Sequence, residues 1–154
     1  MTTVNSHSAS NTPRTALKIL SETKQLSAVR NFVSEAAQRF GFDEDDVHNI
    51  ALAVDEACTN IIKHAYGFVA DQHIEIEIRV RETAFEVVIS DCGVSFTPES
   101  IGIPDMKEYL SHFRRGGLGM HLMRSLMDTI EYRRTGENKN EVRMVKNLPA
   151  FRSA

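Results

Sequence analysis

The sequence lacks the features that mark several large classes of protein. It has two cysteines, Cys58 and Cys92, and six scattered histidines, and their spacing does not suggest a metal site. No apolar run approaches the ~20 residues that a membrane-spanning helix needs, and the first fourteen residues do not resemble a secretory signal. Lysine and arginine are not concentrated in any stretch. We therefore expect a cytoplasmic protein with reduced thiols that contacts neither membrane nor nucleic acid.

The composition is that of an ordinary globular domain. Hydrophobic residues make up 42% of the 154 residues, charged residues 25%, and the formal net charge is −3. A chain of this length can bury one core. Residues 1–14, rich in Ser, Thr and Asn, are expected to form a flexible leader. Residues 15–148 then form a single domain, and 149–154 form a tail.

The hydrophobic pattern predicts the element order β-α-α-β-β-α-β-β. Apolar residues at helical spacing indicate one helix between Thr23 and Gly41 and another between Asp43 and Gly67. Alternating apolar residues indicate strands at 15–20, 74–80, 85–89, 130–132 and 142–144. The segment 94–115 lacks periodicity, which is typical of a functional loop such as a lid, and a third helix follows at 118–127. The predicted fold is an α/β two-layer sandwich, with three helices covering one face of a mixed, mainly antiparallel sheet.

The second predicted helix carries polar residues on one line. Glu56 and Asn60 are four residues apart and point the same way, and His64 extends the line by another turn. An amide among alanines and isoleucines is costly unless it binds something. The Asn60 oxygen can ligate Mg²⁺, and the Glu56 carboxylate can accept a proton from a hydroxyl or water. For this pair alone, the alternative is a solvated helix face.

Two further motifs are typical of nucleotide sites. Asp91-Cys92-Gly93 follows an apolar strand, where a carboxylate can accept from the adenine amino group and a glycine lets a flat ring approach. The alternative is a simple turn. Backbone N–H groups at the start of the third helix can hold phosphates, and the alternative there is a flexible loop. The residues of this last motif are Arg115, Gly116, Gly117, Leu118 and Gly119.

The order and spacing of these motifs resemble the anti-sigma-factor serine kinases of the GHKL ATPase superfamily, which share the Bergerat fold. The segments EACTNIIKHAY, DCG and RGGLG match that family's E-A-x-x-N-x-x-x-H-A-Y, D-x-G and R-x-G-x-G motifs. The resemblance implies that Glu56 is the general base acting on a Ser or Thr hydroxyl and that Asn60 holds Mg²⁺. It also implies that Asp91 and Gly93 bind the adenine of ATP, while the segment from Arg115 to Gly119 surrounds its phosphates.

The same resemblance implies a function and partners. The protein would be an ATP-dependent anti-sigma factor that sequesters a sigma factor. As a serine/threonine protein kinase, it would phosphorylate a Ser or Thr of an anti-sigma-factor antagonist, and it would form a homodimer. The alternative is a non-catalytic, ATP-dependent binding module of the same fold, although the presence of Glu56 favours a kinase.

The chain departs from the family pattern near the adenine motif. Ser95 stands where a second glycine is common, and Lys139-Asn140 stands where the family usually has Gly-Thr. Asn140 keeps a polar group that could hold a water near adenine. Cys92 is either a small residue that fills a gap or a redox-sensitive thiol, whereas Cys58, on the far side of the helix from Glu56, is expected in the core.

Overall fold

The structure, a computed structural model, describes residues 14–96, 123 and 125–151. These residues follow the predicted element order as far as they extend. Short 3-10 turns lie at Thr23–Gln25 and Pro149–Phe151. The strands and long helices are β1 (Arg14–Leu20), α1 (Leu26–Phe40), α2 (Glu44–Asn60), β2 (His73–Val80), β3 (Ala84–Asp91), β4 (Thr129–Gly136) and β5 (Lys139–Asn147).

The five strands form one sheet in the order β1-β2-β3-β5-β4. Every pairing among them is antiparallel, so the sheet is not mixed as predicted but antiparallel throughout the described residues. Strand β5 lies between β3 and β4, which brings its first residues beside the last residues of β3. The register therefore places Asn140 opposite Asp91. Two residues that are 49 positions apart therefore meet where β3 ends and β5 begins, on the helix-covered face.

The alternation of side chains decides which face of the sheet is covered. In β2, Ile74, Ile76 and Ile78 are buried and belong to the same core cluster as the apolar residues of α1 and α2. Asp91 pairs with Ile74 in the ladder, so its side chain shares the face that the helices cover. The opposite face carries charged residues such as Glu86, whose Oε1 accepts from Arg143 Nε at 2.5 Å. The predicted two-layer α/β arrangement is confirmed.

The first helix begins later than its sequence suggested. Thr23 starts a 3-10 turn, and α1 begins at Leu26 without a side-chain cap. The Oε1 of Gln25, at the N-cap position, instead accepts from the backbone N–H of Leu20 at 2.8 Å, which ties the helix start to the end of β1. Gly41 ends the helix as predicted, because its φ of 114° lies in the left-handed region that favours glycine.

The second helix begins as predicted, and it changes type before the chain reaches Gly67, whose φ is 55°. The Asp43 carboxylate accepts from the backbone N–H of Asp46 at 2.8 Å and caps the helix. After Asn60 the chain does not continue as α-helix but widens into a π-helical turn, Ile61–Ala65. The N–H of Tyr66 donates to Ile61 O at 3.0 Å, five residues back. Such wide turns are rare and often lie at functional sites.

Only the end of the third predicted helix belongs to the described residues. Met123, Ser125 and Leu126 are helical, and Met123 and Met127 are buried in the core. The predicted lid beyond Phe96 lies outside the described residues, as does the predicted leader apart from Arg14, which already belongs to β1. In the part that is described, no helix is long and apolar enough to cross a membrane.

Candidate functional site

The predicted line of polar residues, which runs from α2 into the π-helical turn, leaves hydrogen-bonding capacity unused. Glu56 Oε2, Asn60 Nδ2 and His64 Nε2 are all buried, and each lacks a hydrogen-bond partner among the described residues. Asn60 is only 2% exposed. A buried polar atom without a partner costs stability, so the described residues leave these three atoms in need of one. This face is suited to hold a polar ligand.

The Glu56 carboxyl has the properties of a proton acceptor. Burial raises its pKa above the usual range, and the neighbouring charge of Asp55 raises it further. A carboxylate with a raised pKa takes up a proton more readily, which is what general-base chemistry requires. Asp55 itself turns away and accepts from Arg30 Nη1 on α1 at 2.6 Å.

His64 lies in the π-helical turn that follows α2, beside the segment after β3. Its ring lies 5.7 Å, centroid to centroid, from that of Phe96. Burial lowers the pKa of His64, and the charge of Lys63 lowers it further, which favours the neutral imidazole. A neutral ring can offer its buried Nε2 as either donor or acceptor, depending on the tautomer.

The Asp91 carboxylate is held on one oxygen. Oδ1 accepts from the backbone N–H of Gly93 at 2.9 Å and from Asn140 Nδ2 at 3.1 Å. Both bonds end on the same atom, so Oδ2 remains available to accept from a ligand. Burial raises the pKa of Asp91, and the bonds from Asn140 and Gly93 oppose that rise. This is the geometry needed to bind an exocyclic amine.

Asn140 bonds directly to protein groups. Besides Asp91, its Nδ2 donates to Gly93 O at 3.0 Å. Both amide protons are thereby used, and Oδ1 is the atom that can face a ligand or a water. Asn140 thus fixes both ends of the Asp91-Cys92-Gly93 motif.

Gly93 is required by a close approach of backbones. A Cβ at this position would lie 2.5 Å from Ala65 O and 2.8 Å from the Ala65 Cβ. The next residue, Val94, donates its N–H to the same Ala65 oxygen at 2.9 Å. The loop after β3 is therefore bonded to the end of the π-helical turn, which follows directly on the helix that carries Glu56 and Asn60.

Two cavities open beside this loop. One, of about 180 Å³, is lined by residues that include Asp91, Phe96, Tyr132 and Asn140. The other, of about 600 Å³, is lined by residues that include Tyr66, Cys92 and Gly93. Cys92 is exposed, which contradicts the interpretation that it fills a gap, whereas Cys58 is fully buried in the core as predicted.

Among the described residues, the predicted site residues form two groups, one on α2 and one at the ends of β3 and β5. Glu56 and Asn60 share the helix face, and Asp91, Gly93 and Asn140 form one hydrogen-bonded group. Tyr66 and Phe96 also contribute, although sequence reasoning gave them no role; the Tyr66 hydroxyl bonds to the backbone of Cys92. For Tyr66, the available signal was its place at the end of the EACTNIIKHAY motif. The predicted phosphate-binding residues Arg115, Gly116, Gly117, Leu118 and Gly119 lie outside the described residues.

Comparison with known proteins identifies the family. A family model described as a histidine kinase-like ATPase domain matches residues 19–146. The chain belongs to this family. Proteins named serine-protein kinase RsbW from Bacillus thuringiensis, Bacillus velezensis and Bacillus cereus are each 33% identical over 119 residues, which cover 75% of this chain and 74% of the relative. The family predicted from the three motifs is confirmed.

The residues present fit the nucleotide that this family implies. A carboxylate with one free oxygen at the end of β3 suits the adenine amino group. The unpartnered Asn60 Nδ2 is a donor that suits a phosphate oxygen, and the oxygen of the same amide is of the kind that Mg²⁺ prefers. ATP and its metal would thus supply partners for polar groups that the described residues leave without one.

Proposed function

We propose that this protein is an ATP-dependent serine/threonine protein kinase and, more narrowly, an anti-sigma factor that phosphorylates an antagonist protein. The observation that carries the proposal is the unsatisfied polar face of α2, with Glu56 one turn before Asn60. A module that only binds ATP has no use for a proton acceptor at that position. Similarity to the serine-protein kinases named RsbW supports the same activity.

The chain's own groups can be assigned roles on this basis. Mg-ATP, when bound, supplies the phosphoryl group to be transferred. Glu56 takes the proton of the attacking Ser or Thr hydroxyl, and Asn60 holds the metal through its amide oxygen. Asp91, fixed by Asn140, accepts from the adenine amino group. Chemistry of this kind consists mainly of positioning and charge neutralisation, and we assign contacts with the phosphates to the segment 115–119.

The proposed partners follow from the same assignment. They are a sigma factor, which the protein sequesters, and an anti-sigma-factor antagonist, which it phosphorylates. A homodimer is part of the proposal. The test is incubation of the purified protein with radiolabelled ATP, Mg²⁺ and candidate antagonists co-purified from the native cell. Label on a Ser or Thr of the antagonist is the expected result. ATP binding without any transfer would favour the non-catalytic binding module.

Nucleotide binding should depend on Asp91. In Asp91→Asn the side-chain oxygen can still accept from Gly93 and Asn140, but an NH₂ group replaces the oxygen that faces the ligand. Leaving a ligand donor unpaired costs roughly 1–3 kcal/mol, so ATP affinity should fall about tenfold or more. Calorimetric titration with Mg-ATP measures the change.

Inosine triphosphate, which lacks the amino group, is the control ligand for Asp91→Asn. The parent should bind ATP more tightly than inosine triphosphate, and the variant should lose that preference. Undiminished ATP affinity in the variant would show that adenine lies elsewhere.

A further inference from the structure

The hydroxyl of Tyr66 connects the ends of two strands. It donates to the backbone oxygen of His73, the first residue of β2, at 2.6 Å. The backbone N–H of Cys92, the residue after β3, donates to the same hydroxyl at 2.8 Å. A tyrosine hydroxyl has one proton to donate and lone pairs to accept, so both bonds are satisfied at once.

The register of the sheet shows what this hydroxyl replaces. The last pair of the β2–β3 ladder joins Ile74 to Asp91, after Glu75 and Ser90. One more step in this antiparallel register would place His73 opposite Cys92. The C=O and N–H that Tyr66 bridges belong to that next pair of residues. The hydroxyl therefore stands where one further strand-to-strand bond would form.

Tyr66 is held firmly enough for this role. Its side chain is in the core and the residue is only 8% exposed. Its backbone N–H closes the π-helical turn on Ile61 O at 3.0 Å. The preceding residue, Ala65, accepts from Val94 N–H at 2.9 Å. The loop is thus bonded to the end of the π-helical turn on both sides of Gly93.

We propose that Tyr66 is a positioning residue whose hydroxyl ends the β2–β3 ladder at Asp91 and thereby sets where the Asp91 carboxylate meets adenine. This inference rests on the proposed ATP binding. Without the hydroxyl, Cys92 N–H and His73 C=O would either bond to each other or remain unpaired. The first outcome draws the loop into the sheet, and the second frees it, so the carboxylate moves in both cases.

The test is Tyr66→Phe, which keeps the buried ring and removes the bridging oxygen. In the nucleotide-free protein, hydrogen exchange at the Cys92 amide should change relative to the parent, while amides in the middle of β3 should not. ATP affinity should fall about tenfold, the size expected for one lost hydrogen bond to a buried group. Affinity for inosine triphosphate should fall less, because that ligand does not use the Asp91 contact.

A double variant separates positioning from general loss of stability. If Tyr66 acts through Asp91, the variant carrying both Tyr66→Phe and Asp91→Asn should bind ATP no more weakly than Asp91→Asn alone. Ile78→Val, which removes a buried methylene at the other end of β2, is the matched control for destabilisation. It should leave the ratio of the ATP and inosine triphosphate affinities unchanged.

Three results would overturn the inference. One is unchanged exchange at the Cys92 amide in Tyr66→Phe. Another is an equal loss of affinity for ATP and inosine triphosphate in Tyr66→Phe that adds to the effect of Asp91→Asn. That result would mark a purely structural role. The third is a parent that binds neither nucleotide. That result also removes the proposed function, whereas the first two leave it standing.

Discussion

Phosphotransfer to the antagonist should fall by about 10²–10⁴-fold in Glu56→Gln, the usual contribution of a general base. Glutamine keeps the size of the side chain and can still form hydrogen bonds, but it cannot take up the proton of the attacking hydroxyl. Mg-ATP affinity should change little, because the metal and adenine are assigned to Asn60 and Asp91. Sigma-factor binding should also survive. Transfer of radiolabel under single-turnover conditions measures the rate, and calorimetry measures the affinities for Mg-ATP and for the sigma factor.

The raised pKa of Glu56 gives this variant a pH signature. The parent's transfer rate should fall as the pH drops through that raised pKa, because the base becomes protonated, and the residual rate of Glu56→Gln should lack this dependence. The contribution of Glu56 to the free energy of unfolding changes in the opposite direction and becomes more favourable as the pH falls. A carboxyl whose folded-state pKa is raised costs stability above that pKa, and the cost disappears below its unfolded value of about 4.3. The variant should therefore melt no earlier than the parent at pH 7.

Glu44→Gln is the matched control for Glu56→Gln. Glu44 is an exposed carboxylate in the first turn of the same helix, three turns before Glu56. Its substitution changes the net charge by the same amount and should leave the transfer rate within a few-fold of the parent. Transfer at the parental rate by Glu56→Gln would rule out the mechanism proposed here.

Much of the fold could be predicted because its signals are local. The alternation of Ile74, Ile76 and Ile78 fixes a strand and its buried face without knowledge of the rest of the chain. Gly41 and Asp43 mark a helix end and a helix start through their own backbone and side-chain chemistry. Glu56 and Asn60 could be placed on one face by helical spacing alone.

The remaining features depend on contacts between distant segments. Thr23 is a good cap in isolation, but the Gln25 side chain bonds to Leu20 and the helix begins later. The bonds from Asn140 to Asp91 and Gly93 exist because β5 inserts between β3 and β4, and no local pattern specifies that order. The role of Tyr66 likewise emerges only once the register of β2 and β3 is known.

Asn60→Ala should lose metal-dependent nucleotide binding and kinase activity together. Removing a ligand to a charged partner costs about 1.5–3 kcal/mol, which is about 10–100-fold in affinity for Mg-ATP. The diagnostic is the effect of metal removal. Chelation of Mg²⁺ should weaken ATP binding by the parent by a similar factor but should have little further effect on the variant. Glu56→Gln, by contrast, should retain the metal dependence of the parent.

The melting temperature distinguishes this loss of Mg-ATP binding from a loss of the folded state. Asn60 Nδ2 has no hydrogen-bond partner among the described residues, so its removal relieves a buried, unsatisfied group and offsets the small cavity left behind. We expect the melting temperature of Asn60→Ala to stay close to that of the parent. The control is Asp46→Ala on the same helix. Asp46 is buried, its Oδ1 lies 3.8 Å from Lys146 Nζ, and we assign it no contact with the nucleotide. That variant should melt earlier and still bind Mg-ATP. If Asn60→Ala instead melts much earlier and keeps its Mg²⁺ dependence, Asn60 is a structural residue and the metal is held elsewhere.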